Sequence, residues 1–185
     1  MPERWLGVVV ASDKVTVVDA EVSSSGPIVI QADQSWPLQT GDRAVAYRVM
    51  HQQVADYARE NEILRAIVKA SAVSLGGTRK AHLQAAELRG VVMSALATVT
   101  ATETISKAHM SRTFGERKVD EYIADSTFWS KEVAGVNLRI GSREAAMSLL
   151  ARRAVWALVM RGITPTETEA QEYLRLFGPT LPEGF

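Results

Sequence analysis

Hydrophobic positions change period along this chain, and the changes mark out its elements. Trp5 to Ala11 reads WLGVVVA, a short apolar run rich in valine. Ser12-Asp13-Lys14 is a polar break of turn length, and Val15 to Val22 then alternates β-branched with polar residues. Two such runs about a tight polar turn predict a hairpin. Ser23-Ser24-Ser25-Gly26-Pro27 is a loop by composition, and Ile28-Val29-Ile30 makes a short third strand. The chain is thus expected to open with three antiparallel strands.

Helical spacing takes over after Gly41. Asp42 is a good N-cap, and Val45, Val49, Tyr57 and Ala58 recur at helical intervals up to about Glu60. Ala66 to Ala70 reads as a buried-type strand. Gly76-Gly77 with Arg79-Lys80 forms a basic loop, and a long helix follows from Lys80 to Ala97, with Leu83, Ala86, Gly90 and Val91 on one face. Val99 to Glu103 gives a fifth strand. Ile105 to Thr113 and Glu116 to Phe128 read as two short helices parted by Gly115. Ser142 to Met160 is amphipathic, with Ala146, Leu149, Leu150, Val155, Leu158 and Val159 on its apolar face, and Gly162 stops it. Thr164-Pro165-Thr166-Glu167 has capping-box spacing and opens a last helix to Phe177, ended by Gly178. The expected class is α/β: a mixed five-stranded sheet, three antiparallel strands followed by βαβ-type elements, flanked by helices. No repeat or low-complexity tract interrupts it. The natural division is a domain over 1–162 and a helical extension over 163–185.

Bulk numbers narrow the partners. A length of 185 residues suits one core, and 46% hydrophobic with 23% charged residues is ordinary for a globular protein, which excludes general disorder. The 21 basic and 21 acidic residues cancel. A dedicated non-specific nucleic-acid binder carries a basic excess, so nucleic-acid contact here needs a local patch. The absence of cysteine excludes disulfides, thiolate zinc sites and cysteine nucleophiles. No secretory pattern opens the chain and no apolar run reaches membrane-spanning length, so a cytoplasmic protein without a membrane partner is expected.

Three segments carry a family resemblance. Leu6-Gly7-Val8-Val9 enters a hairpin. Ala85 to Val92 reads AAELRGVV on the long helix. Thr102 leads through Lys107 and Gly115 to Tyr122, a strand feeding a lysine-bearing helix, a glycine and another helix. Together they span most of residues 5–160 and resemble the RuvC-like branch of the ribonuclease H-like superfamily. The resemblance implies a ribonuclease H-like fold. In nucleases of that group, acids on the first strand, the fourth strand and the last helix hold two divalent ions, Mg or Mn, which align water and phosphate and stabilise the charge of the breaking phosphodiester. Here the first-strand position falls on Val9, the fourth strand ends on Lys69, and Ser142-Arg143-Glu144 replaces an aspartate-rich segment. No acid lies within Leu6–Ala11 or Ala66–Val73, so a shift of register by a residue or two does not restore the pattern.

The remaining chemistry divides between structural and functional roles. Asp13 is either a turn residue or a relocated ligand. Glu144 is either a first-turn carboxylate favoured by the helix dipole or a surviving catalytic acid, and Glu87 is a further candidate. A rearranged set would draw on Asp13, Asp19, Glu87, Glu103 and Glu144. Lys69 is the most informative position, because a lysine ending a buried strand needs a partner: Glu144, Glu87, a phosphate or a partner's carboxylate. Arg79, Lys80, His82, Lys107, His109, Arg112, Arg117 and Lys118 either converge on phosphates or cover solvated helix ends. Lys69, Arg79, Lys80, Lys107 and Lys118 are the nucleic-acid candidates. His51, His82 and His109 lack metal spacing, so no resident metal is expected. The four tryptophans read as core or edge anchors, and Gly76-Gly77 lacks a P-loop pattern. Three functions remain open, since fold does not fix function. One is a non-catalytic RuvC-like domain acting on nucleic acid or within a larger protein complex, with no cofactor. The second is a divergent Mg- or Mn-dependent nuclease. The third is a homo-oligomeric small-ligand or structural protein.

Overall fold

The first strand is apolar on both faces because both faces are covered. In the computed structural model, which describes residues 2–70, 79–115 and 117–160, strand β1 (Glu3–Val10) points Leu6 and Val8 into one hydrophobic layer and Trp5 into the other. Strand β2 (Lys14–Val22) repeats the division with Val15 and Val17 against Val18, Ala20 and Val22. The hairpin closes where Ala11 N–H donates to the Lys14 carbonyl at 2.9 Å.

Strand β3 runs from Ile28 to Pro37, seven residues beyond the expected Ile28–Ile30, and pairs antiparallel along most of β2 with a bulge at Asp19/Ala20. Its polar half conceals it from a hydrophobic pattern. Trp36 nonetheless returns to the core, and the paired Thr16 and Ser35 hydroxyls lie 3.2 Å apart.

Asp42 caps α1 (Arg43–Glu60), accepting from Val45 N–H at 2.9 Å. Strand β4 (Arg65–Lys69) lies parallel to β1, α2 (Lys80–Ala97) follows as expected, and β5 (Ala101–Ile105) lies parallel to β4. The fifth strand starts two residues late because Val99 and Thr100 turn back onto the Leu96 carbonyl. Helices α3 (Lys107–Phe114), α4 (Val119–Ala124) and α5 (Ser126–Glu132) follow. The single helix expected over Glu116–Phe128 is broken at Asp125, whose carboxylate accepts from the N–H groups of Thr127 and Phe128 and starts α5 instead.

The sheet has six strands where five were expected. Strand β6 (Val133–Gly135) adds to the free edge of β3 in parallel, giving the order β5-β4-β1-β2-β3-β6. Three residues are too few to show a period. Glycine is required at its end: Gly135 has φ +87°, and a Cβ there would lie 2.4 Å from the Ile30 carbonyl oxygen. A 3₁₀ turn (Ile140–Ser142) then leads into α6 (Arg143–Met160).

Helices α1 and α2 cover one face, where Met50, Val54, Leu88 and Val92 meet the β1–β2 valines. Helix α6 covers the other with Ala146, Leu149 and Leu150, joined by Met110, Tyr122 and Trp129. Its backbone lies directly on β1, because a Cβ at Gly7 would stand 2.3 Å from the Ala145 carbonyl oxygen. The Thr164–Phe177 helix, the Gly76-Gly77 loop and the side chains of Val155, Leu158 and Val159 lie outside the described residues. Among those described, no helix is long and apolar enough to cross a membrane.

Candidate functional site

Parallel strands β1, β4 and β5 all end on one edge of the sheet, and the first turn of α6 is delivered to that edge by the close approach at Gly7. Lys69, the last residue of β4, and Glu144, in the first turn of α6, meet there. Nζ lies 2.7 Å from Oε1, and the side chains are 23% and 20% exposed. Of the partners open to Lys69, the fold selects Glu144. Val9 packs against the α6-side core nearby. The positively polarised first turn of α6 favours Glu144 independently of its lysine.

This donor set is poorly suited to a divalent cation. Mg²⁺ and Ca²⁺ take several oxygen ligands, carboxylates prominent among them. Here one carboxylate is already matched by a tethered ammonium, Val9 offers no donor atom, and residues 71–78 contain no acid. Among the described residues, no three His, Asp or Glu side chains stand close enough to hold a metal ion.

The other candidate acids are spread through the fold. Asp13 is exposed in the β1–β2 turn, where its carbonyl accepts from Leu38 N–H at 2.7 Å. Asp19 is fully buried and receives both prongs of Arg4 at 2.7 and 2.8 Å and the Tyr57 hydroxyl at 2.9 Å. Burial, and then Asp19 itself, push the Tyr57 hydroxyl far above its ordinary value. Glu87 belongs to the junction of α1 and α2: it accepts from the Tyr47 hydroxyl at 2.8 Å and lies 3.4 Å from Arg43, which also reaches the Ser12 and Gln84 carbonyls. Glu103 lies beneath α6, 2.5 Å from Arg152. Burial pushes its carboxyl above the usual range, and Arg152 offsets only part of that.

The basic candidates differ in how they are held. Lys107 is held by Asp120 at 2.7 and 2.8 Å, and Arg117 by Asp125 at 3.0 Å. Arg79 and Lys80 are exposed at the start of α2, and Lys118 is exposed before α4. Trp5, Trp36 and Trp129 are buried, and Trp156 meets the edge of Trp5 at 5.6 Å, so the anchor reading describes their placement.

The Glu103–Arg152 pair was not anticipated. A signal existed, since Arg152 continues the Ala145–Leu149 spacing of the buried α6 face, and a cation there demands a buried anion. Asp33 was also missed. Its carboxylate accepts from the backbone and guanidinium of Arg139 at 2.8 and 2.5 Å, tying β3 to the segment before α6.

No family model matches the chain, and no curated protein sequence matches it. Solved structures do. RuvC of Thermus thermophilus is similar with a TM-score of 0.62 at 10% identity, over 86% of this chain and 97% of that one. The T. thermophilus RuvC in complex with a Holliday junction substrate gives 0.60 at 10% identity, over 87% and 97%. The yeast mitochondrial Holliday junction resolvase Ydc2 gives 0.59 at 10% identity, over 93% and 85%. At such identity the likeness is one of fold, and the fold is the RuvC-like form of the ribonuclease H-like architecture.

Proposed function

We propose that this chain works by binding and not by cutting: a RuvC-like domain without phosphodiester hydrolysis that associates with nucleic acid or serves as an assembly module in a larger complex. The Lys69–Glu144 ion pair carries the reading. It places an ammonium against Glu144 where β1, β4 and α6 meet, and the described residues there do not fit a two-metal centre. The structural neighbours support nucleic acid as the partner, one being solved with a Holliday junction substrate and another being a Holliday junction resolvase. Zero net charge and the pairing of Lys107 limit the number of phosphates the surface can meet. Arg79, Lys80 and Lys118 are the exposed candidates.

The test is incubation with branched, single-stranded and hybrid substrates in Mg²⁺ or Mn²⁺. All should remain intact. Metal-dependent cutting that disappears in Glu144→Gln would overturn the proposal. Affinity for branched DNA should fall with salt, and the logarithmic slope should shrink by roughly 0.9 for each phosphate-contacting cation removed from Arg79, Lys80 or Lys118. No binding even at low salt would remove nucleic acid as the partner.

A further inference from the structure

Between α5 and the segment joining β6 to α6 lies a cavity of about 290 Å³. Buried Trp129 and Leu138 line it with Val133 and Arg143, and Ser126 and Asn137 stand among the exposed lining residues. Arg143 carries the only charge on its described lining.

Arg143 differs from four other buried or half-buried arginines of this protein. Arg4, Arg65, Arg152 and Arg153 are also buried or half-buried, and each reaches a carboxylate. Arg143 reaches none among the described residues. Its Nη1 donates to the Ile123 carbonyl at 2.7 Å, its guanidinium stands 5.7 Å from the centre of the Trp129 ring, and its buried Nε has no acceptor. A guanidinium has five N–H donors and keeps its charge at any physiological pH. The indole face provides some compensation. One neutral carbonyl leaves the buried Nε without an acceptor, and an anionic oxygen is the strongest available complement to a guanidinium.

We infer that this cavity is a binding site for a small anion, a phosphate or a carboxylate, held by Arg143 with the Ser126 hydroxyl and the Asn137 carboxamide as further donors. The site is separate from the Lys69–Glu144 edge. Glu144 turns to β4, whereas its neighbour Arg143 turns to α4 and α5. Its volume of about 290 Å³ lies just below the roughly 300–1,000 Å³ span of drug-sized sites, which suits an inorganic anion or an acid of a few carbons.

The full chain should be titrated with inorganic phosphate and, separately, with propionate, at ionic strength held constant with chloride. The Trp129 indole N–H and the Arg143 Nε–H are followed by ¹⁵N NMR. Saturable shifts at both groups are expected with at least one probe, and which probe saturates separates phosphate from carboxylate. Arg143→Gln should weaken binding at least tenfold. Ser130→Phe, which fills the cavity from the exposed face of α5 and leaves Arg143 in place, should do the same and decides the matter if Arg143→Gln does not fold. Shifts that merely track salt, or that are unchanged in Ser130→Phe, would overturn the inference.

Discussion

Helix α6 is bound to the sheet by two ion pairs two turns apart, and they have different characters. Lys69–Glu144 sits at the strand ends with about a fifth of each side chain exposed. Glu103–Arg152 lies beneath the helix, with 9% and 3% exposed. Water can solvate the first pair when it opens; it cannot reach the second without lifting the helix. The inner pair ties α6 to β5 where solvent does not reach. The outer pair occupies the edge where a ligand could arrive. An acid beneath a helix and an acid at a strand end look alike in a sequence, yet only the second is partly open to solvent.

The comparison breaks most directly at Arg152. Arg152→Ala should destabilise the fold by about 3–5 kcal/mol, because it leaves Glu103 buried without its cation. Replacing both members, with Glu103→Leu and Arg152→Met, should recover most of that loss. Urea unfolding of the single and double variants measures both effects. A loss under about 1 kcal/mol in the single variant would place the inner pair in the same class as the outer one.

The sequence makes the same distinction only in part. Both faces of β1, the Asp42 cap and the extent of α2 follow from local pattern and local capping chemistry. The polar end of β3 and the three residues of β6 do not, since both form by pairing with strands already in place. At the candidate site, Val9 and Lys69 are visible because they depart from a familiar pattern. The partner of Lys69 is settled only by the packing of α6, which depends on a missing side chain at Gly7. Arg152 and Glu103 lie on different elements 49 positions apart, so no spacing joins them.

The outer pair should yield more easily. Lys69→Ala should cost about 1 kcal/mol, with the loss shrinking as salt rises, as for a partly solvated pair. The same locus can be tested for whether the lysine stands in a cation's place. Val9→Asp with Lys69→Glu would place three carboxylates about the strand ends with Glu144, and this double variant should gain Mn²⁺ affinity measurable by calorimetry. A double variant that folds and binds no more Mn²⁺ than wild type would show that Lys69 does not stand in a cation's place.

The smallest effect separates the pairs by pH. The Glu103 carboxyl is raised above its ordinary value because burial outweighs the attraction of Arg152. A raised carboxyl binds more protons in the folded state than in the unfolded one, so its contribution to stability is lost as pH rises from the ordinary glutamate range through the folded value. Relative to Glu103→Gln, wild type should therefore lose stability as pH rises above 4.5, near which the unfolded group titrates. The change is modest because Arg152 cancels part of what burial imposes. Denaturant midpoints for the two proteins across that window measure it. A gap between them that stays constant with pH, or that shifts in favour of wild type as pH rises, would mean that Arg152 outweighs burial and that the inner pair is ionised on the same terms as an ordinary surface bridge.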